Sequence, residues 1–208
     1  MHNLILGEYD LKRLICGFLC LCMIFALTGC KKEEKEEYYE TTLSFDKEGA
    51  VTDVIVESFS EDYYSEDGLR AYFQEKISDY NYSNIGDNGV ELKDLTVEGG
   101  KAKATLVFDS PETYTSFYGP VTFFGTISDA YDKGYITETV LKSVNSSETL
   151  SKIDLMKIRK EKIIIVSEVV RVISPNKITH VSANVEVIND KEVRISSDST
   201  GMAYILVK

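Results

Sequence analysis

Cysteine is absent after position 30: Cys16, Cys20, Cys22 and Cys30 all lie at the start of the chain. Whatever folds downstream therefore has neither a disulfide nor a thiolate metal site. Tryptophan is absent altogether, which removes the stacking platforms frequent in carbohydrate binders. Of the two histidines, His2 precedes the apolar leader and His180 falls inside a strand-like run. No nucleophile elbow stands beside His180, so it reads as a structural or solvated residue. Basic residues are outnumbered 23 to 34, for a net charge of −11. Such a surface repels nucleic acid and suits a solvated exterior. The chain carries no Gly-rich phosphate loop, dinucleotide fingerprint or paired-histidine zinc motif. No catalytic residue, metal ligand or cofactor is assigned from the sequence, and a non-enzyme is the favoured reading.

The N-terminal segment is more specific. Lys12 and Arg13 precede an apolar run from Leu14 to Leu27. A basic n-region before a core of this length reads as a secretory signal, with an uncleaved membrane anchor as the competing interpretation. The run ends in Leu27-Thr28-Gly29-Cys30, which resembles the lipobox of bacterial lipoproteins at all four positions. The resemblance covers the signal region alone. It implies diacylglyceryl transfer to the Cys30 sulfur, cleavage between Gly29 and Cys30, and a further acyl chain, of the palmitate type, on the new amino terminus. Two or more chains hold a protein firmly, because each buried methylene contributes about 0.8 kcal/mol. The expected location is the outer face of the cell membrane. Residues 1–29 are then a discarded signal peptide.

Residues 30–40 follow as the lipidated cysteine and a charged tether. Lys31 to Glu40 reads KKEEKEEYYE, a composition that buries too little to fold and spans roughly 15–20 Å as a coil. From Thr41 to the C-terminus the pattern is that of an α+β extracytoplasmic domain, 41–208, with 41–109 and 121–208 weighed as subdomains. Thr41–Phe45 and Val51–Phe59 read as a hairpin, as do Glu91–Val97 and Lys101–Phe108 around Gly99-Gly100. One longer helix is expected after Ser65, with Leu69, Tyr72, Phe73, Ile77 and Tyr80 as its apolar stripe. Several short helices follow: one from Pro111 behind a Ser110 cap, one over Ile127–Lys133, and one near Leu150–Ile158. Tyr135–Val144 reads as a strand between the last two. The C-terminal part reads as a β-meander through Lys162–Ile173, Ile178–Val187, Val193–Ser197 and Tyr204–Val207, its short connections implying antiparallel neighbours.

Four clusters invite chemistry. Asn84, Gly86, Asn88 and Gly89 trace the start of a calcium loop but place Leu95 where a carboxylate is required, so a turn is the better reading. Glu57, Glu61, Asp62, Glu66 and Asp67 suit the start of a helix dipole. Tyr63, Tyr64, Tyr114 and Tyr118 could line a sugar or peptide site, although tyrosine is common on half-buried surfaces. Lys152, Lys157, Arg159, Lys160 and Lys162 could meet anionic wall polymer or lipid head groups, against a solvated helix end as the plainer account.

The expectation is a membrane-anchored binding or interaction domain whose partners are the membrane and an envelope protein or wall polymer. An envelope hydrolase using carboxylates or a serine is the first competitor, and a small-solute-binding lipoprotein the second. Replacing Cys30 by Ser is expected to abolish palmitate incorporation and to leave residues 1–29 attached to the chain. Fractionation with mass spectrometry checks this.

Overall fold

The computed structural model describes residues 40–61, 65–83, 89–137, 139–196 and 201–208. The expected signal peptide, with Gly29 and Cys30, and the expected tether up to residue 39 lie outside these residues, as do Asp62, Tyr63, Tyr64 and residues 84–88 of the calcium-like loop. The class is α+β: antiparallel hairpins, one longer helix, several short ones and a β-rich C-terminal region. Among the described residues no helix is long and apolar enough to cross a membrane.

Both N-terminal hairpins form from alternating β-branched residues closed by turn chemistry. Strands β1 (Thr42–Phe45) and β2 (Val51–Ser58) pair with Phe45 opposite Val51. The Asp46 carboxylate accepts the amides of Gly49 and Ala50 at 2.7 and 2.8 Å. Strands β3 (Val90–Glu98) and β4 (Lys101–Phe108) turn through Gly99 and Gly100, whose φ angles of 59° and 75° are those of a primed hairpin turn. Along β4, Ala102, Ala104, Leu106 and Phe108 are buried and the residues between them are not, as period two requires.

Helix α1 (Glu66–Ser83) begins where Ser65 Oγ accepts the Gly68 amide at 3.1 Å. Phe73 is buried and Leu69, Ile77 and Tyr80 pack against the core, whereas Tyr72 is half exposed, off the stripe. Helix α2 (Pro111–Tyr118) has Ser110 as its N-cap and proline in its first turn. After β5 (Thr122–Thr126), α3 (Ile127–Asp132) is closed at its start by the reciprocal Thr126–Asp129 capping box. Strands β6 (Val140–Ser143) and β7 (Thr149–Ser151) lead to α4 (Lys152–Leu155), where Ser151 and Asp154 repeat the same box. Two expectations shrink accordingly. The strand expected over Tyr135–Val144 keeps only its C-terminal half, because Tyr135 N–H is spent on closing α3 through Ala130 O. The helix expected from Leu150 starts later, because Ser151 caps it and Leu150 belongs to β7.

The remaining strands are β8 (Lys162–Val166), β9 (Arg171–Ile173), β10 (Ile178–Val181), β11 (Val185–Asn189), β12 (Glu192–Ile195) and β13 (Ala203–Val207). They split between a seven-stranded sheet ordered β11-β12-β9-β1-β2-β4-β3 and a six-stranded sheet ordered β5-β8-β13-β10-β6-β7. Thus β9, β11 and β12, from the 121–208 segment, complete the sheet begun by 41–109, with β1 and β9 parallel. The run expected as one strand over Lys162–Ile173 is two, because the chain changes sheets at Ser167–Val170. Ile178–Val187 breaks likewise at 182–184. There Ser182 Oγ donates to Asn184 Oδ1 at 2.5 Å and accepts the Tyr204 amide at 2.9 Å, giving the backbone a local alternative to the ladder.

One core joins the inner face of the seven-stranded sheet (Leu43, Leu106, Phe108, Val172) to α1, to α2 and to Ile164, Val166, Ile205 and Val207 of the second sheet. A second core lies on the other face of that sheet, where Ile163, Ile165 and Leu206 meet Ile127 and Ala130 of α3 and Leu155 of α4. Strands β8 and β13 are thus covered on both faces, which explains their continuous apolar sequences. Ile164→Ala is expected to cost about 2–5 kcal/mol, since Ile164 is 0% exposed, while Ile153→Ala, at a residue 72% exposed, leaves stability nearly unchanged. Urea unfolding of both variants measures the contrast.

Candidate functional site

The inner face of β2 runs Val51, Asp53, Ile55 by alternation, so a carboxylic acid stands where an apolar side chain is expected. Register sets Asp53 between Leu43 on β1 and Leu106 on β4, and it is 2% exposed. Its Oδ1 has no hydrogen-bond partner. The Tyr118 hydroxyl faces Asp53 from α2 but falls short of hydrogen-bond geometry, and its oxygen is likewise buried and unpartnered. Glu168, in the bend Ser167–Val170, turns inward to the same place and accepts the Tyr114 hydroxyl at 2.7 Å. Rings of Phe108, Tyr114 and Tyr118 pack around the group with centroids 5.0 to 5.7 Å apart, Phe108 edge-on to Tyr114 and the other two pairs tilted.

Burial dominates the electrostatics. Loss of water, then the nearby charge of Glu168, hold the Asp53 carboxyl at about 7 against an ordinary 3.8, with Tyr118 offsetting a little. Burial also raises Glu168, partly opposed by the bond from Tyr114. Both phenols are pushed well above their ordinary range by burial and by the two acids. Two acids whose affinities for the proton are raised together form the kind of constellation used for acid–base work. Here Asp53 is sealed inside the core, out of reach of a bound molecule. Among the described residues no group of three or more His, Cys, Asp or Glu side chains could hold a metal.

The outer side of the same bend is open. Val169, Val170 and Arg171 line a groove of about 510 Å³ together with Ala183, Val185 and Arg194. Arg194 donates to both oxygens of Glu40, at 2.5 and 3.2 Å, and lies 3.6 Å from Glu186. The guanidinium of Arg194 keeps the Glu40 carboxyl below its usual value. Arg171 is tied to Glu192. Next to the groove, β11 pairs with β12 alone among the described strands, and its Val187 and Ile188 are exposed. A strand paired on one side leaves backbone donors and acceptors facing outward.

Comparison with known proteins adds no relative. Neither a family model, a curated protein nor a solved structure matches the chain.

The clusters singled out from sequence are not brought together. His180 stands in β10 with Nδ1 3.2 Å from Thr179 Oγ1 and Nε2 unpartnered, and burial lowers its pKa. Glu57, Glu61, Glu66 and Asp67 are exposed. The basic residues have separate neighbours: Lys157 pairs with Asp154, Arg159 bonds Ser128, and Lys162 lies over the Phe124 ring. Tyr114 and Tyr118 pack in the core instead of forming an exposed platform. Asp53 and Glu168 were missed, although each interrupts an apolar pattern, Asp53 on a buried face and Glu168 within the run after Lys162.

Because folding holds a proton on Asp53 that the unfolded chain releases near 3.8, the folded state is favoured most below that value. The advantage is lost as pH rises from about 4 to about 7. The full effect is on the order of 4 kcal/mol, with Glu168 acting in the same direction. Asp53→Asn is expected to flatten most of this slope and to be the more stable protein at pH 8. Urea unfolding at pH 5 and pH 8 tests the sign.

Proposed function

We propose that the chain is a lipid-anchored protein of the outer face of the cell membrane whose folded domain binds an extended segment of another envelope protein. The observation that carries this reading is the groove of about 510 Å³ at Glu40 and Thr41, where the tether from Cys30 enters the domain. Nine residues separate Cys30 from Glu40, a length that as a flexible chain would span roughly 15 Å. The adjoining edge of β11 offers main-chain pairing, the route by which sheets take up extended peptides. Val169, Val187 and Ile188 are exposed apolar residues suited to its side chains. The lipobox-like Leu27-Thr28-Gly29-Cys30 supports the location.

One observation favours the hydrolase alternative: Asp53 and Glu168 converge with raised proton affinity. Its weakness is access, since Asp53 is 2% exposed. Photo-crosslinking residues placed singly at Val169, Val187 and, as a control on the other sheet, Val140 discriminate in intact cells. The binding reading expects one reproducible polypeptide adduct from Val169 and Val187 and none from Val140. Adducts to wall polymer, indifference to position, or turnover of an envelope substrate that is lost in Asp53→Asn would overturn it.

A further inference from the structure

The buried acid pair and the groove share one short segment. Glu168 points inward from the bend Ser167–Val170, while its neighbours Val169 and Val170 line the groove. We propose that Asp53 and Glu168 form a proton-operated latch on this bend, so that ionisation of both acids releases Glu168 outward and reshapes the groove wall.

The two halves of the latch differ in freedom. Asp53 belongs to β2, which is paired with β1 on one side and along its whole length with β4 on the other, so it cannot retreat. Glu168 stands outside any strand, is only partly buried, and among the described residues has one side-chain bond, from the Tyr114 hydroxyl. The bend is pinned at both ends. Ser167 N–H donates to Val121 O at 2.9 Å, Ser167 Oγ accepts Val121 N–H at 2.8 Å, and Arg171 N–H donates to Thr41 O at 3.3 Å. Ile195 N–H also donates to Val170 O at 3.0 Å and Val170 is buried in the core, so movement is confined to Glu168 and Val169, the latter on the groove wall.

The groups facing the pair are Tyr114 and Tyr118 from α2, with Tyr72 of α1 acting on Tyr118. Among the described residues the interactions of Asp53 and Glu168 include no lysine, arginine or histidine. With one acid protonated the site holds a single charge, which the Tyr114 hydroxyl stabilises. With both ionised, two like charges share a water-poor space without a counter-cation, an arrangement that either rebinds a proton or separates. Separation means Glu168 reaching solvent. The latch stands on the fold alone, whereas its effect on a partner rests on the binding role proposed for the groove.

The absence of tryptophan supplies a clean probe. In the full anchored protein in detergent, Val169→Trp reports on the bend and Val140→Trp serves as control, both at exposed residues. From pH 5 to 9, Val169→Trp emission is expected to step once near neutrality, and Val140→Trp to stay flat. The step should vanish when Asp53→Asn is added. Circular dichroism verifies the fold of that double variant, and Glu168→Gln replaces it if it unfolds. A flat Val169→Trp titration, or a step that survives removal of either acid, overturns the latch. A separate readout addresses the groove: cross-linking yield from Val187 is expected to differ between pH 6 and pH 8 in the wild-type background only. An emission step accompanied by pH-indifferent yield supports the latch and overturns its effect on the partner.

Discussion

The change of sheet at Ser167–Val170 is the constraint on which the rest of the architecture depends. Strand β8 ends in the six-stranded sheet and β9 begins in the seven-stranded one four residues later, so this bend stitches the two sheets along their common core. Polar bonds to Val121, Tyr114 and Thr41 hold it. Apolar burial drives the sheets together, while these bonds decide where the chain crosses. The crossing also explains why a glutamate is tolerated there: its carboxylate replaces lost water with a phenolic donor.

Among the described residues Asp53 has no comparable donor at hydrogen-bond distance, and the physical consequence is an acid that holds its proton up to about pH 7. A buried carboxylate without a cation or a ring of amides is costly, and protonation is the cheaper state. An apolar residue of similar size in β2 would stabilise the sheet at neutral pH. The retained acid therefore sets a pH dependence that the hydrophobic core alone would not have, and it does so beside the groove lined by Glu40 and Thr41.

Much of the fold was legible. Gly99-Gly100 and Asp46 to Gly49 marked the hairpins, Ser65 and Ser110 marked helix starts, and alternation along β4 named its buried face. Local chemistry decides these features, so local sequence reveals them. The strand breaks at 167–170 and 182–184 were not legible, because Lys162–Ile173 and Ile178–Val187 keep β-type composition across a change of sheet. That change is set by which surface each half buries. The acid pair escaped for a related reason: Asp53 and Glu168 are separated widely in sequence, and long-range contacts, among them the parallel pairing of β1 with β9 and the bond from Tyr114 to Glu168, bring their neighbourhoods together. Conversely, the clusters obvious in sequence, such as the lysines around 157, proved obvious because solvent exposure lets charges accumulate.

The central claim is that Asp53 keeps its proton inside the folded domain far above the ordinary carboxyl range, up to about pH 7. Carbon-13 NMR of its side-chain carboxyl reads this directly in the folded protein. The account predicts a titration midpoint near 7, with Glu168 also above its ordinary value. A midpoint close to 3.8 would contradict it, because an aspartate ionised at that pH inside this core requires solvent or a counter-charge that the packing around β2 does not provide.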